Sequence, residues 1–340
     1  MLRLIFAKIK TYLMKKILFL LVTLCISTFS HSQIRVVEKK ESLSKFKGTQ
    51  TIFLLSNVYD TKTYEELLKD TWTVTPFKVI KYEDFNPQEY VSGAYSFVTL
   101  AGSRVQTAQQ SVYHSAYMHF FMFNTKAKEK ELKKWAKKPE EKKKEYNLMA
   151  EDRIDIGSVT LCVSPRFIEA MYFTPKEAWK VMYEEDTFPN YKLGFLKNYF
   201  QKMSNVISEG KGRPACETEC TPELKALKKQ TLYIPNFIIE EYINMALKGN
   251  KAEDEGFKKL FKEYKYKYEI IDDETINIKI LAGEEFYYVR FIEALPIKHL
   301  QVVNSKTGDL LFSHCLFGLD AHIKPNNLKD IKTAIDTGKF

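Results

Sequence analysis

The chain has 340 residues, 45% of them apolar and 28% charged, with 13 Gly and 11 Pro. That suffices for one large or two ordinary domains, and it excludes a disordered, collagen-like or multi-span membrane chain. The formal charge of +9 is unevenly placed: residues 1–32 carry five bases and no acid, and residues 126–145 carry ten Lys against five Glu. What is left is close to neutral, so no broad basic face is available and the composition argues against nucleic-acid binding. The 20 Tyr and 24 Phe supply a large core, because each ring buries much surface.

The N-terminal residues read as an export signal. Met14-Lys15-Lys16 is a short positive region, residues 17–26 (ILFLLVTLCI) are an unbroken apolar run, and Ser30-His31-Ser32 is a small-x-small site before Gln33. This pattern predicts a secretory leader, residues 1–32, removed before Gln33; the apolar run is about half the ~20 residues that a membrane span needs. Leu24 stands where a lipid-attachment motif requires a small residue, which argues against lipid on Cys25. Met14 is as good a start as Met1. The expected destination is the periplasm or the cell exterior, with membrane association left open but no transmembrane span after leader removal.

Beyond a polar segment, 33–50, residues 51–57 (TIFLLSN) predict a buried strand. Thr63 and Glu66 then match a capping box, with Leu67, Leu68 and Trp72 as the inward stripe of a helix ended by Pro76. Strands follow at 77–82, 95–100 and 112–124. Residues 125–150 form a Lys/Glu-rich helical insertion, and 156–163 another strand. Leu193, Leu196, Phe200, Met203 and Ile207 mark a long amphipathic helix. The Gly- and Pro-containing stretch 210–214 lies in a linker, 208–230.

A similar order recurs afterwards: a strand at 231–236, helical segments ending with 255–264, a strand at 266–271, a strand on the alternating Ile276, Ile278 and Ile280, and a strand at 286–292. Residues 300–303 and 310–313 flank N-S-K-T-G-D, a hairpin with Gly308 available for positive φ. The fold expected is α/β (α+β): two βαβββ-like halves with mixed sheets, 51–207 and 231–340, linked by helices and related by internal duplication.

After leader removal Cys162, Cys216, Cys220 and Cys315 remain, an even number suited to an oxidising compartment. Cys216 and Cys220, close together in a turn-rich stretch, are the expected disulfide, with Cys162 and Cys315 free or mutually paired. Phosphate loops, H-E-x-x-H and G-x-S-x-G are absent from the sequence. His114 and His119, five apart on one strand, face opposite sides and cannot share a metal unless a bulge intervenes. His314, Cys315, Asp320 and His322 lie near one another in sequence without a helix to gather them; no metal or cofactor is expected. Open α/β sheets bind ligands at the carboxyl ends of their strands, which singles out Tyr59, Arg104 and Asn236.

The leader K-K-I-L-F-L-L, the run T-I-F-L-L-S-N-V-Y-D-T-K-T-Y-E-E-L-L-K-D-T-W, L-K-K-Q-T-L-Y-I-P and V-V-N-S-K-T-G-D together resemble secreted Bacteroidota proteins of unknown function. The opening is also loosely similar to periplasmic α/β assembly-factor domains, a likeness of fold alone. The resemblance implies export and carries no catalytic residue. The expected role is a non-catalytic envelope module that binds a partner protein, polymer or small ligand in or beside the junction of the halves; the alternative is an envelope hydrolase or transferase without a recognisable motif.

Overall fold

A computed structural model describes residues 33–106, 112–125, 129–130, 134, 137, 153–214, 216–248, 253–294, 297–318 and 322–340. The leader and nearly all of the Lys/Glu-rich insertion lie outside the described residues. The protein is α/β, with two six-stranded mixed sheets.

The first sheet comprises β1 (Ile34–Val36), β2 (Gln50–Leu54), β3 (Phe77–Val79), β4 (Tyr95–Gln106), β5 (Val112–Phe123) and β6 (Arg153–Leu161), in the order β1-β6-β5-β4-β2-β3. The second comprises β7 (Glu219–Cys220), β8 (Leu232–Pro235), β9 (Tyr268–Ile271), β10 (Tyr287–Ala294), β11 (Ile297–Asn304) and β12 (Leu310–Phe317), in the order β7-β12-β11-β10-β8-β9. Counted from its own first strand, each sheet has the same order and the same directions. All five neighbour pairs match in direction: β2 runs parallel to β3 and β4 as β8 does to β9 and β10, while the other three pairs of each sheet are antiparallel. Neither β2 nor β8 is an edge.

Each half has more elements than βαβββ. The polar segment 33–50 is itself structured: β1 pairs with β6, and α1 (Lys40–Lys47) buries Leu43 and Phe46. The 208–230 segment likewise contains β7 and a 3-10 helix, Pro222–Lys228, that buries Leu224 and Leu227. α2 (Thr61–Thr71) starts earlier than the capping-box reading, because the N-cap is Asp60, three residues before Thr63, and its side chain accepts from Thr63 N. Two helices follow β6, α3 (Pro165–Phe173) and α4 (Pro175–Glu184), then α5 (Leu193–Glu209), closed by Gly210 at φ 67°. The second half adds α6 (Phe237–Lys248), α7 (Glu253–Leu260), α8 (Asp273–Leu281) and α9 (Pro325–Thr337).

The expected strand on Ile276, Ile278 and Ile280 is α8. Asp272 caps it by accepting from Thr275 N, Ile276 and Ile280 are buried one turn apart, and Ile278 points to solvent at 59% exposure. Three isoleucines at even spacing satisfy either period, and the cap decides for the helix.

α5 joins the halves. Phe200 packs edge-on against Phe53 of β2, 5.6 Å between ring centres, and Trp72 does the same at 5.3 Å; such pairs contribute about 1 kcal/mol each beyond burial. Its other side meets the second half: Asn277 Oδ1 accepts from Gly194 N at 2.7 Å, and Asn198 donates to Ser305 O and accepts from the Tyr288 hydroxyl. The hairpin turn at Gly308, φ 73°, sits on this helix, where an added Cβ would lie 2.6 Å from Asn198 O. Ile276, Ile280, Tyr288 and Val303 therefore share the first sheet's core. Among the described residues, no helix is long and apolar enough to cross a membrane.

Candidate functional site

The first sheet has one apolar face and one mixed face. Met118 and Phe120 of β5 and Val159 and Leu161 of β6 turn toward the helices. The alternate residues Tyr117, His119, Phe121 and Phe123 turn the other way, as the period of two requires. A β-bulge sets what faces them. Phe120 pairs with Gly157 but Phe121 with Asp155, so Ile156 is an extra residue on β6. It shifts the alternation of β6 by one, and Arg153, Asp155, Ser158 and Thr160 come onto the same face as His119.

Four ionisable groups form a chain there. Arg35 of β1 pairs with Asp155. Asp155 Oδ1 lies 3.0 Å from His119 Nε2, and Arg153 Nη1 lies 3.1 Å from His119 Nδ1. A guanidinium can only donate, so Nδ1 accepts and Nε2 carries the proton that goes to Asp155. Both ring nitrogens are thereby engaged. Burial raises the Asp155 carboxyl, but bonds from His119 and Arg35 and the Arg35 charge outweigh it and hold it below the usual range. The guanidinium of Arg153 lies over the Phe121 ring at 4.6 Å, and its Nε is buried without a partner. A cavity of about 250 Å³ opens over Arg35, Ser115, Tyr117, His119 and Asp155.

Tyr117 also lines a second cavity, of about 400 Å³, along the edge of β4. β2 ends where Leu54 pairs with Thr99, and β4 continues beyond it. Tyr183 of α4 occupies the start of this unpaired edge: its hydroxyl accepts from Leu100 N at 3.0 Å and donates to Leu100 O at 3.3 Å. Trp179 stacks on Tyr183 and on Tyr82. Arg104 and Arg153 enter the cavity, and Tyr172, Phe173 and Trp179 border it. No Asp or Glu lines it among the described residues. Tyr172 and Phe173 are 55% and 66% exposed, an unusual display of two adjacent large rings. Burial pushes the Tyr117 phenol up, so it is a neutral hydrogen-bonding group.

The three ligand residues singled out by sequence are not gathered. Arg104 lines the larger cavity, but it lies within β4, two residues before its end, and stacks over Tyr172 at 4.9 Å. Tyr59 packs edge-on against Tyr64 and does not line either cavity. Asn236, in the second half, accepts from Ile239 N and Glu240 N as it leads into α6. Arg35, Arg153, Asp155 and Trp179 were not anticipated. Ser164-Pro165 and Thr174-Pro175 were available signals for α3 and α4, because each hydroxyl caps a helix with Pro at its first turn.

The cysteine pairing also differs. Cys216 is bonded to Cys315, Cα atoms 5.7 Å apart, and not to Cys220. The antiparallel pairing of β7 with β12 places Cys220 opposite Phe312 and carries Cys216 along toward Cys315. Cys162 and Cys220 are free. Asp320 lies outside the described residues; His314 faces Asp330 at 3.6 Å and His322 faces the Tyr242 ring. Among the described residues no three His, Cys, Asp or Glu side chains are grouped to hold a metal.

A third cavity, about 330 Å³, lies at the junction of the halves, with Lys192 and Asp273 on its walls. Both of its basic residues are already paired, Arg166 with Glu177 and Glu185, and Lys192 with Asp273 and Glu274. No family model, curated protein or solved structure matches the chain.

Proposed function

We propose that the protein is an exported, non-catalytic binding module of the cell envelope that holds a small anionic ligand bearing an aromatic ring. The observation that carries this reading is the β4-edge cavity. Arg104 and Arg153 supply two positive charges with no lining carboxylate, and Tyr172, Phe173 and Trp179 supply a rim on which a flat ring can stack. A guanidinium binds a carboxylate or phosphate through two parallel hydrogen bonds, and about 400 Å³ suits a small organic molecule. The cavity lies just past the carboxyl end of β2, the usual position for ligands on open α/β sheets.

Export is supported by the leader-like residues before Gln33 and by the Cys216–Cys315 pair, which suits an oxidising compartment. Duplication of one ancestral unit is supported by the matching strand order and direction of the two sheets. The rival reading, a hydrolase or transferase, meets an obstacle at His119. Its two nitrogens are taken by Arg153 and Asp155, leaving neither free to accept a proton from a nucleophile.

The test is to purify the exported protein from envelope extracts, unfold it, and identify the released small molecules by mass spectrometry. An anionic aromatic compound enriched over an Arg104→Met/Arg153→Met variant is the expected result. Equal recovery from both proteins would overturn the ligand assignment, and turnover of ester, phosphate, peptide or glycoside substrates would overturn the non-catalytic reading.

A further inference from the structure

The cavity of Arg104 and Arg153 follows a free strand edge. The Tyr183 hydroxyl bonds both Leu100 N and Leu100 O, so both groups point to the β2 side of β4. With a period of two, the N–H and C=O groups of Gly102 and Arg104 point the same way. β2 stops opposite Thr99, and among the described residues these four main-chain groups have no hydrogen-bond partner. An edge of this kind is a template for another extended chain.

The cavity is also lined from both faces of the sheet. Gly102 turns toward α3, where an added Cβ would lie 2.9 Å from the Phe167 ring, and Arg104, two residues on, shares that face and stacks over Tyr172. Arg153 and Tyr117 approach from the opposite face, where Tyr117 pairs with Ala101. A flat ring alone meets one face, whereas a strand sends alternate side chains to both.

We propose that the ligand is the carboxyl-terminal end of a peptide, an aromatic residue followed by an acidic last residue, bound as a short strand along β4. This inference rests on the anionic-aromatic reading above. Running parallel to β4, as β2 does, the peptide points its C-terminus toward Arg104; the opposite direction would bring the carboxylate to Tyr183 instead. In a parallel ladder Gly102 N donates to the carbonyl before the aromatic residue, and Gly102 O accepts from the N–H of the last residue. Arg104 N then donates to the terminal carboxylate, beside its own guanidinium. The aromatic side chain, level with Gly102, turns to the face of Tyr172, and the acidic side chain turns to the face of Arg153. Two carboxylates thereby meet two guanidiniums in a cavity that no lining carboxylate neutralises.

The test titrates the wild-type protein with N-acetyl-Phe-Asp and with its depsipeptide, in which an ester oxygen replaces the N–H of the last residue. The peptide should bind, and the depsipeptide should bind about fivefold or more weakly, because Gly102 O is left facing an oxygen. Amide hydrogen exchange at Gly102 and Arg104, read by NMR, should slow when the peptide binds and not when 2-naphthoate binds. Equal affinity of peptide and depsipeptide, or unchanged exchange at Gly102 in the peptide-bound protein, overturns the strand pairing; charge-selective binding of 2-naphthoate then leaves the anionic-aromatic reading standing. Binding of 2-naphthoate without binding of the peptide overturns the peptide assignment alone. Failure of both probes to bind overturns the site and the peptide together.

Discussion

Arg153 Nη1 lies 3.1 Å from His119 Nδ1, and this contact fixes the imidazole as the tautomer that donates from Nε2 to Asp155. Asp155 is then the one carboxylate serving both His119 and Arg35. Asp155→Asn should lower stability by about 1–2 kcal/mol at neutral pH, the usual cost of a charged hydrogen-bond partner at a part-exposed site. Because the folded carboxyl is held below its ordinary value, its contribution is complete above the unfolded pKa and is lost as pH falls through the folded one. The difference between wild type and variant in urea titrations should therefore close below about pH 4. A gap that widens on acidification would contradict the arrangement.

The Cys216–Cys315 bond closes a long loop, 99 residues in sequence separation, and ties the segment before β7 to β12. Loop closure of that length is worth about 5 kcal/mol in the chain-entropy description. Cys315→Ser should cost that order of stability under oxidising conditions and nothing extra under reducing ones. Non-reducing peptide mapping should recover Cys216 with Cys315; recovery with Cys220 would refute the pairing.

Cys162 should behave as an inert thiol. Burial pushes it up to about 12, so almost no thiolate exists at neutral pH. Iodoacetamide should label it only after unfolding. Rapid labelling of the native protein at Cys162 would mean that the contact of the Cys162 thiol with Phe291 O opens readily.

Gly308 is where the second half rests on α5. Its φ of 73° and the 2.6 Å approach to Asn198 O leave no room for a side chain, so Gly308→Ala should cost about 2 kcal/mol or more. Gly283, with φ 77° and open space around it, should tolerate Ala better. Chemical denaturation of both variants measures the difference.

Much of the fold was legible because long apolar runs have few alternatives. Residues 51–57, 95–100 and 112–124 became β2, β4 and β5, the amphipathic pattern on Leu193 to Ile207 became α5, and Gly308 took the positive φ expected of its turn. Short patterns failed where two periods fit equally, as at Ile276 to Ile280, where Asp272 was the overlooked cap. The site was mostly illegible for a topological reason. Arg35 entered from a segment read as a polar tail, and Asp155 and Arg153 reached the face of His119 only through the one-residue bulge at Ile156. No periodicity in β6 announces that bulge. Arg104 was singled out for its place near the carboxyl end of a strand, and its cavity depends on the two helices α3 and α4 that the sequence reading passed over.

The cavity of Arg104 and Arg153 should select negative charge on a flat ring. A matched pair of probes isolates the charge: 2-naphthoate and its neutral amide have the same ring and nearly the same shape. Titration calorimetry of the wild-type protein should give tighter binding of the carboxylate by about tenfold or more, as a charge-assisted guanidinium contact implies. In the Arg104→Met/Arg153→Met variant that preference should vanish while weak binding of both probes persists on the aromatic rim. Equal affinity of the wild type for the two probes, or a preference that survives loss of both arginines, would contradict the assignment.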